Sequence, residues 1–256
     1  MSNTKAAAVL RKTAICCAAL LTAFRVIVLQ TAFDKEGLLP RGNISLPVTV
    51  LLCALSFAGL CILSLKLNGR PGRESLFSVQ GIWFPLKLIG AGLLLAGSVL
   101  TLTGLDKLSF GSADTLVPVA GLVSALLMGW TALREKRGAW FFWVRLVPSL
   151  FTGAALIVRF RTWSYDPMII HILPELLAWT CCMVAMMLLT GFPLNVGHRR
   201  SGVLFGLGAG MFACMTVPDY FLSDRMTLPD LLTVLGVALW CVVAALELLR
   251  RRAQAN

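Results

Sequence analysis

The sequence predicts an all-α fold, a polytopic transmembrane bundle of about eight spans, and three observations predict it. The first is composition. Of 256 residues, 58% are hydrophobic and 14% charged, and the mean hydropathy is +0.83. A soluble domain carries roughly 45–50% apolar and about 25% charged residues; lipid can absorb this excess, and a soluble core cannot. The second is length. The apolar residues fall in eight runs of about 18–25 residues, each able to cross a hydrocarbon layer of ~30 Å at 1.5 Å per residue. The third is charge. Fourteen of the 23 basic residues lie before the first run, after the even-numbered runs, or at the end; five lie in the opposite loops. That bias places both termini in the cytoplasm of a bacterial-type plasma membrane. The partners expected are the lipid bilayer, a small-molecule ligand, and a second copy or another membrane protein. Nucleic acid is excluded, because the net charge of +11 is dispersed in short topological clusters.

The spans follow in order. Lys5, Arg11 and Lys12 precede the first, residues 13–33, which Arg25 interrupts. Its length and that arginine make it an uncleaved helix and not a signal peptide. The second covers 44–65 and stops at Lys66, Arg70 and Arg73. The third covers 81–104, with Lys87 near its start, placed to snorkel toward water. The fourth covers 116–133 and stops at Arg134, Glu135, Lys136 and Arg137. The fifth begins with Trp140, Phe141, Phe142 and Trp143, residues that favour the headgroup level, and runs to about residue 160. The sixth covers 168–192, the seventh 203–222, and the eighth 231–249, before Arg250, Arg251 and Arg252. In the eighth, Glu247 is spaced for a local pair with Arg250 and Arg251.

The whole chain reads as one integral membrane domain, with two four-helix repeats of like orientation, 13–137 and 139–252, as a possible internal organisation. In each half an arginine near the outer end of the first span precedes an aspartate: Arg25 with Asp34, Arg159 with Asp166.

Ionisable residues inside spans are the functional candidates. Arg25 and Glu175 each fall roughly 10–12 Å below the outer boundary of a span, and the sequence expects them to pair, as a structural bridge or as the lining of a polar cavity. Arg159, Asp166 and His171 gather in the connection beside them. Pro174 is expected to kink the sixth span, and Pro148 and Pro218 to do so in the fifth and seventh. His171 and Glu175 have metal-ligand spacing but lack further ligands, so neither metal nor cofactor is expected. The eight cysteines all lie in apolar runs without a C-x-x-C pair, as small packing residues. Gly202, Gly206 and Gly210 form two GxxxG steps that let another helix approach closely.

No G-x-S-x-G, H-E-x-x-H or P-loop pattern occurs, and the reading is of a non-enzyme. Two functions remain open. One is a small-molecule transporter or permease component built around the Arg25/Glu175 pair. The other is a non-catalytic membrane subunit or sensor acting through helix contacts.

Overall fold

A computed structural model describes residues 3–32, 44–67, 83–105, 112–133, 139–164, 172–192, 198–223 and 226–250. Among the described residues the chain is eight α-helices with no strand, and all eight are long and apolar enough to cross a membrane. They are α1 (Asn3–Thr31), α2 (Ser45–Leu65), α3 (Trp83–Thr103), α4 (Ala113–Leu133), α5 (Ala139–Trp163), α6 (Leu173–Thr190), α7 (Arg199–Leu222) and α8 (Leu228–Arg250). We call the face holding the start of α1 and the end of α8 the near face, and the opposite one the far face.

Two of the expected boundaries move by five residues or more. α1 begins at Asn3, ten residues earlier than its apolar run, because Lys5, Arg11 and Lys12 are good helix formers that extend the helix beyond its apolar part. α6 begins at Leu173, with Pro174 in its first turn. There the missing N–H has no intrahelical partner to lose and the fixed φ suits a helix start. Pro174 therefore starts α6 and does not kink it. Pro148 and Pro218 do lie inside α5 and α7, as does Pro118 inside α4.

The centre belongs to α7 and α8, of whose apolar windows 72% and 67% of residues are buried, against 22% for α1 and α2. α8 packs closely on α3 and α7 and more lightly on α6; α3, α4, α5 and α6 then follow one another side by side. These five, α3 to α6 and α8, close a ring. α1 lies outside it on α7, and α2 on α1 and α7. The outer surface carries large apolar side chains such as Leu55, Ile62, Leu126 and Ile157, each more than half exposed, as lipid contact allows.

Backbone proximity explains why α8 can be central. A Cβ at Gly206 of α7 would stand 2.7 Å from the Cys241 carbonyl oxygen and 2.8 Å from the Ala245 Cβ of α8. One at Gly236 of α8 would stand 2.7 Å from the Gly90 carbonyl oxygen of α3. Only glycine fits either crossing. The helix predicted to use the glycine face is thus α8 of the same chain: Gly202 faces Leu248, and Gly210 faces Val242.

Candidate functional site

Ion pairs form at both ends of the bundle. On the far face, Arg25 of α1 reaches Asp219 of α7, with Nη2 to Oδ1 at 2.7 Å and Nε donating to the same oxygen at 2.9 Å. Arg25 is 2% exposed. Six residues from the end of α1 it lies about 9 Å below that end, a depth that demands a charge partner. The partner is Asp219, where the sequence expects Glu175. Position along a helix fixes depth but not azimuth, and Asp219, three residues from the end of α7, stands on the helix that α1 packs against.

Glu175 belongs to the same face through a different arginine. Arg159, near the end of α5, places Nε 3.3 Å from Glu175 Oε1 and Nη2 against Asp230 Oδ1 of α8. Asp230 also accepts from Thr227 Oγ1 at 2.6 Å, and its own N–H lies 3.4 Å from that hydroxyl, which places Thr227 as the N-cap of α8. Glu175 sits in the first turn of α6, where a carboxylate is favoured by the helix dipole. It is therefore shallower than the expected 10–12 Å, because α6 starts at Leu173. The two pairs lie on adjoining helices, since α6 packs on α7. Arg25, Glu175 and Arg159 are thus brought to one face. Asp166 and His171 lie outside the described residues.

A second pair lies in the near half. Lys87 Nζ of α3 contacts Glu247 Oε2 of α8 at 2.6 Å, both side chains 3% exposed or less, with the ammonium 5.9 Å from the centre of the Trp240 ring. Lys87 does not snorkel. Glycine at positions 90 and 236 brings α3 and α8 so close that the lysine is enclosed before it can reach the boundary. Glu247 accordingly reaches across to α3, where a local arginine pair is expected. The sequence reading missed this pair; the signal available was that each residue is an ionisable group placed within an apolar run.

The near-face arginines do more than set orientation. Arg199 Nε donates to the Leu248 carbonyl at 2.8 Å, and Nη2 to that of Leu249 at 3.4 Å. Arg200 donates to the Leu67 carbonyl. The start of α7 thus satisfies carbonyls left open at the ends of α8 and α2.

Four successive helices of the ring each carry a buried polar atom without a hydrogen-bond partner among the described residues: Ser98 Oγ of α3, Ser124 Oγ of α4, Ser149 Oγ of α5 and Trp179 Nε1 of α6. All four residues are 2% exposed or less. Glu175 Oε1, one turn above Trp179, also lacks a well-directed hydrogen bond. Phe151 of α5 meets Trp179 edge-on, with ring centres 6.0 Å apart. Toward the near face the ring keeps a narrow cleft among Met128, Thr131, Arg145, Pro148, Met186 and Trp240. Among the described residues no three His, Cys, Asp or Glu are grouped to hold a metal ion, and all eight cysteines are free thiols.

No protein-family model matches this chain, and neither a curated protein nor a solved structure shows significant similarity to it.

Proposed function

We propose that this multi-pass membrane protein is a small-molecule transporter or permease component whose route runs inside the ring of α3, α4, α5, α6 and α8. The observation that carries the reading is the series of unpartnered polar atoms on Ser98, Ser124, Ser149 and Trp179, with Glu175, ion-paired to Arg159, at its far end. A buried donor or acceptor left unsatisfied costs about 1–3 kcal/mol. Four helices each contribute one to the same interior, and water or a polar solute moving through it would satisfy them.

The charges at the two ends support the same reading. On the far face two arginines stand among three carboxylates, and Glu175 retains acceptor capacity, which suits a proton or a small cationic or polar solute. On the near side, Lys87 and Glu247 adjoin Trp240, which lines the cleft. Paired charges of this kind can part and re-form as a solute passes. The alternative reading, a non-catalytic subunit or sensor held in a complex through glycine-rich or aromatic faces, loses one support, because α8 of the same chain fills the glycine face of α7.

The test is flux into proteoliposomes of protons, monovalent cations and small zwitterions, comparing wild type with Glu175→Gln and Trp179→Phe. The expected result is wild-type flux above that of empty vesicles for at least one probe. It should fall tenfold or more in Glu175→Gln at unchanged thermal stability. Wild-type flux that Glu175→Gln leaves intact would remove this residue from the route. Absence of flux for every probe would remove transport.

A further inference from the structure

A separate feature lies outside the ring, on the surface turned to lipid. α1 and α8 both pack on α7 but diverge from each other, leaving an apolar groove of about 440 Å³. Its walls include Ile15 and Ala18 of α1 and Leu239 and Val242 of α8, and its floor Gly210 and Cys214 of α7. Along α8 it runs from Leu235 to Leu246, about 16 Å at 1.5 Å per residue. That is about half the ~30 Å hydrocarbon layer, the reach of one leaflet.

At its near end the groove opens into a recess of about 230 Å³, and the two share Arg11 and Leu246. Here the chemistry changes. The recess is bordered by Arg11 of α1, Arg250 at the end of α8 and Trp83 at the start of α3. Both arginines are exposed. The Trp83 indole Nε1 is buried without a hydrogen-bond partner among the described residues. Two guanidiniums and an orphaned N–H donor, from three helices, therefore stand at the mouth of a leaflet-length apolar groove. Arginine recognises phosphate through paired donors, and basic pockets between spanning helices suit anionic lipid headgroups.

We infer that this groove is a binding site for an anionic phospholipid, its phosphate held by Arg11, Arg250 and Trp83 and one acyl chain lying between α1 and α8. The occupant must be amphipathic and anionic. A zwitterionic lipid would bring its headgroup cation up against the two arginines, and a free anion would leave the groove unfilled. A lipid seated there also bridges α1 to α8, which otherwise meet through α7.

The test is native mass spectrometry of delipidated protein in neutral detergent, titrated with phosphatidylglycerol and, separately, with phosphatidylcholine of the same chains. One phosphatidylglycerol per protein is expected to bind at least tenfold more tightly than phosphatidylcholine. Arg11→Gln with Arg250→Gln should weaken phosphatidylglycerol about 30-fold and remove the preference. Cys214→Trp, on an exposed position of the floor, should exclude both lipids; Ala18→Phe fills the groove from the other wall should that variant fail to fold. Equal binding of the two lipids, a preference that survives the double arginine change, or binding that survives filling of the groove would overturn the site. Displacement of phosphatidylglycerol by millimolar inorganic phosphate would make it an anion site and overturn the lipid.

Discussion

Lys87 and Glu247 are each almost wholly enclosed and 2.6 Å apart, so neither has water to fall back on. Removing one partner of a buried pair typically costs about 3–5 kcal/mol, whereas replacing both by apolar groups is often neutral. Lys87→Met alone should therefore destabilise the protein by about that much, and Lys87→Met with Glu247→Leu should recover most of the loss. Thermal unfolding in detergent reads both; equal loss in single and double variants would show that the two are not coupled. The far face allows a sharper test of partner choice. Arg25→Asp with Asp219→Arg should restore folded protein that either single change loses, while Arg25→Glu with Glu175→Arg should not. The sequence marks Arg25, Lys87, Glu175 and Glu247 as charges needing partners, because each interrupts an apolar run. It leaves the pairing open, because nothing in a one-dimensional pattern tells which helix stands opposite.

Helix by helix, the spans are legible because lipid imposes length and apolarity on each of them. Their contacts are less so. Hydrophobicity does not mark the central helices, since lipid is as apolar as any protein interior; small residues at the crossing do. Gly206 of α7 is such a residue, and Gly206→Leu should separate α7 from α8 and abolish monodisperse folded protein on size exclusion. Gly59→Ala of α2 is the control. Nothing lies within 4 Å of a Cβ there, and the change should stabilise by about 0.5–1 kcal/mol. The start of α6 gives a further outcome. With Pro174 in the first turn, Pro174→Ala should shift stability by under about 1 kcal/mol. A larger destabilisation, or a changed α6 in hydrogen exchange, would mean that the proline shapes the helix interior.

For the molecule as a whole, the charge bias predicts orientation independently of any contact. A fluorescent reporter that matures only in the cytoplasm should therefore be bright when fused at either terminus, and a dark fusion at either end would overturn that topology. The two halves are alike in their charges, yet their burial differs: α7 and α8 are the most enclosed helices, while α3 and α4, at the corresponding places of the first half, are about half as buried. Time adds a consequence to that arrangement. α8 follows α1 to α7 off the ribosome, yet it carries Glu247 for Lys87, Asp230 for Arg159, and the backbone surfaces on which α3 and α7 close. Until it is inserted, a nascent chain holds a lysine in the membrane without its acid and two glycine seams without their neighbour. α8 is made after the helices it holds, so its arrival divides a chain whose charges and seams are still open to proteolysis from one in which they have closed.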